Sequence, residues 1–138
     1  MRGYEIIDHT ADIGIKVYGK DLKELFQRSA EALFEIICDL SEVDDSIEKG
    51  MTLEGDNLEQ LMVVWLGELL YLYETKRLLF KRFEVKGIEN NTLRATVYGE
   101  EFKEAYHSIK TVVKAVTYHQ IQVEQRDGKW VSRVVFDL

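Results

Sequence analysis

Acidic side chains flank strand-like segments near both ends of this sequence. Asp8 and Asp12 lie between two apolar runs at one end, and Asp137 precedes Leu138 at the other. An isolated Asp beside a strand usually bonds nearby backbone amides in a turn. Carboxylates that cluster repel one another instead, and a hard cation such as Ca²⁺ or Mg²⁺ removes that repulsion. Turn chemistry and a divalent-cation site therefore remain alternatives for these acids.

Other residue types that carry catalysis lack the spacing that catalysis needs. The three histidines, His9, His107 and His119, form no His-x-x-x-His or Glu-x-x-His pair on a predicted helix, so a zinc hydrolase signature is absent. No serine has a nucleophile-elbow context, no glycine-rich phosphate loop is present, and Cys38 ends a predicted helix instead of beginning one. The sequence therefore predicts no catalytic residue and gives little support to an enzyme acting alone.

Length and composition set the class of protein. The 138 residues are 46% apolar and 31% charged, which predicts one packed domain over residues 1–138. No apolar run approaches the roughly 20 residues of a membrane span, and the amino-terminal segment lacks an apolar signal core. The single Cys38 excludes an internal disulfide and a Cys-based zinc cluster. We expect an intracellular, reducing and hence cytoplasmic location.

Charge is distributed unevenly along the chain. The net charge of −7 disfavours broad nucleic-acid binding, which needs cations to neutralise phosphates. Residues 35–56 are rich in acids, whereas residues 76–94 are rich in Lys and Arg. These segments are either solvated surfaces or an acidic surface that meets a basic partner. Two interpretations also remain open for Lys110 and Lys114. Their side chains are either solvated or in contact with a phosphate or a partner.

Apolar residues recur at helical spacing in two segments. Asp21 is expected to cap the first helix, with Glu24 completing a capping box. The second helix has a wider apolar face, which predicts deeper burial, and Asp56 is its expected N-cap. Glu68 lies at the edge of that face, either as a rim carboxylate or as a paired or functional buried acid. The two predicted helices span residues 21–40 and 56–77.

Strand patterns fill most of the remaining sequence. Hairpin turns are predicted at Asn90-Asn91 and at Asp127-Gly128, because these residues tolerate positive φ. The order ββαβαββ followed by ββ predicts an α+β fold, a mostly antiparallel sheet with two packed helices. The strands predicted before these hairpins span residues 3–8, 13–19 and 46–54.

The register of the last hairpin sorts its side chains between two faces. A two-residue turn at 127–128 places Tyr118 opposite Asp137 and puts Asp137 on the polar face. His119 falls on the core face, where a buried and hydrogen-bonded histidine is expected. The apolar residues that share this face are Ile121, Val123, Trp130, Val134, Phe136 and Leu138.

Four ordered motifs resemble the archease family. They are DHTADIGI near the start, VVWLGELLYL in the second helix, VKAVTYHQIQV before the last hairpin and RVVFDL at the end. The resemblance covers essentially the whole chain, and the length and acidic charge agree with it. Archeases are small α+β proteins that assist the RtcB-type RNA ligase of tRNA splicing. The resemblance implies an accessory protein, not an enzyme, that promotes ligase guanylylation, sustains turnover and broadens nucleotide use.

The resemblance also implies the residues of a site. A divalent cation, usually Ca²⁺ with Mg²⁺ or Mn²⁺ as alternatives, would be held by Asp12, Asp137 and the backbone or terminal carboxylate of Leu138. Lys114 matches a lysine tied to activity in the family. The residues implied in partner contact or activation are Asp8, His9, Lys114 and His119. The partner would be the ligase, with RNA contacted only through it and no membrane involved.

Two other functions stay open on the sequence alone. The acids and a cation could belong to a metal-dependent hydrolase that acts by itself. The chain could also be a small chaperone-like binding module in which a metal is only structural. An activity screen without any ligase separates the first from the implied function, and a ligase turnover assay separates the second.

Overall fold

The computed structural model describes residues 3–8 and 11–138, whose strands form two antiparallel sheets. The larger sheet contains β1 (Tyr4–Asp8), β2 (Asp12–Gly19), β6 (Ala115–Val116), β7 (Gln122–Arg126) and β8 (Lys129–Asp137). The smaller sheet contains β3 (Ile47–Glu54), β4 (Leu78–Glu89) and β5 (Thr92–Glu101). The helices are α1 (Leu22–Ile37) and α2 (Leu58–Lys76), with a short 3₁₀ turn at Leu40–Glu42.

The α+β class and the predicted order ββαβαββ followed by ββ are confirmed, with β6 as one additional short strand. The larger sheet runs β1-β2-β8, and the far edge of β8 pairs with β7 along one part and β6 along another. The smaller sheet runs β3-β5-β4. Within the described ranges, no helix is both long and apolar enough to cross a membrane.

Helix α1 begins at the predicted cap and lies between the sheets. The Asp21 carboxylate accepts a 2.8 Å hydrogen bond from the Glu24 amide, and the Glu24 carboxylate accepts one of 2.9 Å from the Lys20 amide. The helix contacts β2 of the larger sheet and β4 of the smaller one. Most of its apolar residues are buried, and Phe26 and Phe34 are wholly so. The capping box and the periodicity read from the sequence are confirmed.

Helix α2 begins one residue later than the sequence predicted. Asn57, not Asp56, is the N-cap, because its side-chain oxygen accepts a 2.8 Å hydrogen bond from the Gln60 amide. The Gln60 side chain reaches back to the Asp56 amide at 2.5 Å. Asp56 with Glu59 and Asn57 with Gln60 have the same capping-box spacing, so the sequence does not favour one cap over the other. Farther along, wholly buried Trp65 donates from Nε1 to the Phe26 carbonyl at 2.9 Å.

Both predicted hairpin turns are present. Asn90 and Asn91 have φ of 51° and 57° between β4 and β5. Asp127 and Gly128 have φ of 50° and 78° between β7 and β8. Positive φ at both central positions matches the twist of the flanking strands. Both tight turns predicted from these dipeptides are therefore confirmed.

The predicted register fails beyond the first part of the last hairpin. The β7–β8 ladder ends at Gln122, and Ala115, not Tyr118, lies opposite Asp137. A turn with Gln120 at φ 55° separates β6 from β7 and shifts the pairing by an odd number of residues. An odd shift reverses which face a side chain joins. His119 lies in this turn and on neither strand, so its side chain is exposed and its predicted place in the core is wrong.

Candidate functional site

The two acids nominated from opposite ends of the sequence lie side by side. Strand β2 pairs with β8 so that Asp12 is directly opposite Asp137. Directly opposite residues project from the same face, with Cβ atoms about 4.5–5.5 Å apart. The adjacent pair, Ile13 and Phe136, is buried on the core side. Asp12 and Asp137, the acid pair, thus lie on the outer face of the larger sheet, half-buried and exposed respectively.

Two backbone hydrogen bonds gather further site residues around the acid pair. The Leu138 amide donates to the Ala11 carbonyl at 3.2 Å, and the Lys114 amide donates to the Asp137 carbonyl at 2.8 Å. Leu138 and Lys114 are thereby held beside the end of β8. The Lys114 side chain is exposed.

Asp8 does not share a face with the acid pair. It lies opposite Ile13 in the β1–β2 ladder, so alternation directs it toward the core side of the sheet, where it is exposed at the edge. His9 and Thr10, the other residues of this turn, lie outside the described residues. The structure therefore brings Asp12, Asp137, Leu138 and Lys114 together, with Asp8 nearby on the opposite face.

A cavity of about 310 Å³ opens on the outer face beside Asp12. Its floor is the row formed by Ile7, Gly14 and Val135, which lie opposite one another on β1, β2 and β8. The remaining lining residues are Asp12, His119, Gln120 and Arg133. Sequence reasoning reached Asp12 and His119 but missed Gly14, Gln120 and Arg133. A glycine inside an alternating strand was the available signal, since such glycines often mark space for a ligand or another backbone.

The acid pair suits a divalent cation with an incomplete set of protein ligands. Among residues 3–8 and 11–138, no three His, Cys, Asp or Glu side chains cluster as a metal site. A cation would therefore rely on two carboxylates and an oxygen of Leu138, a donor set that hard cations prefer. Like charges directly opposite each other destabilise a sheet, and a shared cation removes that cost. Ca²⁺ takes six to eight oxygen ligands, which would leave coordination positions for water or a partner.

The acidic and basic segments neutralise each other in part. Arg82 lies 3.2 Å from the Asp45 carboxylate and 3.3 Å from that of Glu84, which also pairs with Lys86 at 3.2 Å. The Tyr98 hydroxyl donates to Glu84 at 2.7 Å, and this bond holds the pKa of Glu84 below its usual value. These contacts favour a solvated surface over a partner site for this part of the chain.

Cys38 and Glu68 take no part in the site. Burial raises the pKa of the Cys38 thiol to about 11, so it remains protonated and unreactive near neutral pH. Glu68 is half-buried on α2, which fits a rim carboxylate with its stem covered. Neither residue lines the cavity beside the acid pair.

The Archease protein family model matches residues 4–138. This chain belongs to the archease family. Protein archease from Sulfolobus acidocaldarius is 41% identical over 139 residues, and Protein archease from Pyrococcus furiosus is 41% identical over 143 residues. Each alignment covers all of both chains. The resemblance read from the four motifs is confirmed.

Solved structures agree with this assignment. The solution structure of Methanobacterium thermoautotrophicum protein 1598 superposes with a TM-score of 0.88 at 38% identity, and all of both chains is covered. A crystal structure from Thermotoga maritima, described as an archease and possible chaperone, gives a TM-score of 0.65 at 24% identity. It covers 97% of this chain and 96% of its own, and it supports the fold alone.

Proposed function

We propose that this protein activates an RtcB-type RNA ligase in tRNA splicing or RNA repair. In this role it promotes guanylylation of the ligase, sustains multiple turnover and broadens the nucleotides that the ligase accepts. Membership of the archease family supports the proposal, and the observation that carries it is the acid pair held beside Leu138 and Lys114. The protein acts as an accessory factor and leaves the joining chemistry to the ligase.

The acid pair is the proposed functional site, through which the protein acts on the ligase. Asp12, Asp137 and an oxygen of Leu138 would hold a divalent cation, with Ca²⁺ the first candidate and Mg²⁺ or Mn²⁺ as alternatives. Bound there, the cation would supply positive charge and open coordination positions to a partner's active site. The exposed Lys114 side chain would contact that partner directly. The net charge of −7 would favour approach to a basic RNA-binding cleft.

A cytoplasmic location forms part of the same proposal. The free and buried Cys38 thiol supports it, because thiols stay reduced in that compartment. The ligase is the direct partner, and RNA is reached through it.

The test measures guanylylated ligase against time, with this protein present in substoichiometric amount. We expect the wild type to accelerate guanylylation and to convert a stalled ligase to repeated turnover. Asp12→Asn and Asp137→Asn should each abolish the effect while remaining folded by circular dichroism.

Asp127→Asn is the matched control for these variants. It makes the same chemical change at the hairpin turn of the same sheet, where Asn before Gly is well tolerated. If folded Asp12→Asn and Asp137→Asn proteins stimulate as well as this control, the acid pair is not the functional site.

A chaperone-like binding module is the second candidate. The Thermotoga maritima protein that shares this fold is described as a possible chaperone, which motivates it. A chaperone that holds its client should need stoichiometric protein and should protect the ligase from aggregation. An activator should work at a small fraction of the ligase concentration, so a titration of protein against ligase separates the two.

A further inference from the structure

Two like-charge pairs lie on the outer face of the larger sheet. The first is the acid pair at the end of β2 and β8. The second pair is Lys16 on β2 opposite Arg133 on β8. Lys16 lies four residues beyond Asp12 along β2, so the two pairs are roughly 13 Å apart at 3.3 Å per residue. Gly14, opposite Val135, occupies the row between the two pairs. The cavity described above lies over this row.

Arg133 has unused hydrogen-bonding capacity. Its neighbours across the sheet are Lys16 on β2 and Gln122 on β7, and neither is an acid. Glu5 on β1 lies opposite Lys16 from the other side and is not a cross-strand neighbour of Arg133. No hydrogen bond or ion pair links the Arg133 guanidinium to another described residue. Five N–H donors are therefore available at one end of the cavity.

The rest of the cavity suits a small phosphate ester. The exposed His119 and Gln120 side chains form a polar wall, while Ile7, Gly14 and Val135 provide an apolar floor. Its volume of about 310 Å³ is at the lower limit for ligand pockets and fits a molecule of mononucleotide size. Arginine binds phosphate through paired N–H groups, which places the phosphate at the Arg133 end.

We infer that this cavity binds a small phosphate ester, with its phosphate on Arg133 and its uncharged part over the floor at Gly14. The inference deepens the proposed function and rests on it in one respect. Asp12 lines the same cavity and repels an anion unless a cation occupies the acid pair. Cation and phosphate ester are therefore expected to bind cooperatively.

The test is isothermal titration of the whole chain with CMP, cytidine and inorganic phosphate, each with Mg²⁺ or with EDTA. CMP and phosphate should bind, more tightly with Mg²⁺, and cytidine should not. Arg133→Gln should weaken the binding of CMP and of phosphate by about tenfold or more, because the charge-assisted hydrogen bond from the guanidinium to the phosphate is lost. Gly14→Val should weaken CMP more than phosphate. Its Cβ meets only ordinary contacts, 3.5 Å from the Val134 carbonyl oxygen and 3.9 Å from Ile7 Cβ.

Lys129→Gln is the matched control, since Lys129 lies on the same face of β8 but does not line this cavity. It should bind CMP as the wild type does. Equal weakening by Lys129→Gln and Arg133→Gln, or binding of neither phosphate compound by the wild type, would overturn the site. If CMP binds more tightly than phosphate, the cavity recognises the nucleoside as well as the phosphate. If the two bind equally, the cavity recognises the phosphate group alone.

The same titrations separate this inference from the proposed function. Mg²⁺ binding without any binding of CMP or phosphate overturns the cavity assignment and leaves the acid pair as a cation site. Binding of CMP that is unchanged by Mg²⁺ and by Asp12→Asn supports the Arg133 site and overturns its coupling to the cation.

Discussion

The backbone amide of Lys114 donates a 2.8 Å hydrogen bond to the carbonyl oxygen of Asp137. This contact fixes the chain just before β6 against the end of β8 and holds Lys114 beside the acid pair. A backbone hydrogen bond does not depend on the side chain at position 114. The charge of Lys114 can therefore be removed without releasing this part of the fold.

Lys114→Ala should reduce ligase stimulation and leave stability nearly unchanged. The exposed side chain predicts a change in the free energy of unfolding within about 0.5 kcal/mol. The remaining stimulation should depend less on salt, because one screened charge contact has been lost. Guanylylation rates at several ionic strengths measure this effect. Lys110→Ala, an exposed lysine of the same segment, is the control, and equal losses in both variants would argue against a specific role.

Asp12→Asn should have opposite effects on stability without and with a divalent cation. In EDTA it removes like-charge repulsion across β2 and β8 and should stabilise by roughly 0.2–1 kcal/mol. With Ca²⁺ the wild type should gain stability through binding, and the variant should not. Urea unfolding under both conditions measures the difference. A Ca²⁺-dependent gain of equal size in Asp12→Asn and Asp127→Asn would show that the cation binds elsewhere.

Glu100 is half-buried on β5 of the smaller sheet, between the buried His107 and the exposed Asp44. Its carboxylate accepts a 2.7 Å hydrogen bond from the Asp44 amide and lies 2.9 Å from His107 Nε2. The Lys103 amide donates to His107 Nδ1 at 2.9 Å, so the ring proton resides on Nε2 and points to Glu100. The amide of Asp44, followed by His107, holds the pKa of Glu100 below its usual value.

This depressed pKa predicts a loss of stability in acid. A carboxyl whose folded pKa lies below its unfolded value stabilises the fold above the unfolded pKa, and protonation removes this contribution as pH falls. The loss attributable to Glu100 should therefore begin near its ordinary pKa of 4.5 and continue below it. Urea unfolding from pH 7 to pH 3 should show a shallower acid decline in Glu100→Gln than in the exposed neighbour variant Glu101→Gln. Parallel declines would contradict this assignment.

Gly99→Ala should destabilise the smaller sheet severely. An added Cβ would lie 1.8 Å from the Leu79 carbonyl oxygen on β4, and backbone on both strands would have to move. We expect a loss of about 3 kcal/mol or more, at the upper end of overpacking effects. Gly50→Ala on β3 is the control, because an added Cβ there meets nothing within 4 Å. Thermal unfolding of the two variants measures the difference. Similar unfolding midpoints would contradict the prediction, because they would show that β4 and β5 can move apart at little cost.

Local chemistry determined which parts of the fold could be predicted. The capping box at Asp21 and Glu24 and the two hairpin turns depend on residues close in sequence, and each was found. The cap of α2 was displaced by one residue because Asp56 and Asn57 are both good capping residues. Each is followed three positions later by a residue that suits a capping box, Glu59 and Gln60 respectively, so local sequence does not decide between them.

Long-range pairing limited the prediction of the site. Asp12 and Asp137 could be nominated by residue type, but their pairing depends on β2 meeting β8, which no local pattern encodes. The turn before β7 was missed because Gln120 adopts positive φ without the Gly or Asn that would announce it. That miss placed His119 in the core. It also hid the cavity at Arg133, because His119 and Gln120 of this turn form part of its lining.

The pairing of β2 with β8 also bears on protein synthesis. The acid pair joins β2 to β8, which lies far later in the chain, so it cannot form while β8 is still inside the ribosome. Asp137 follows Asp12 by 125 residues (137 − 12), so at about 5–20 residues per second β2 waits roughly 6–25 seconds for its partner. A nascent chain therefore has two separate carboxylates and no site. Any cation or partner that recognises the pair recognises only molecules whose translation has passed β8.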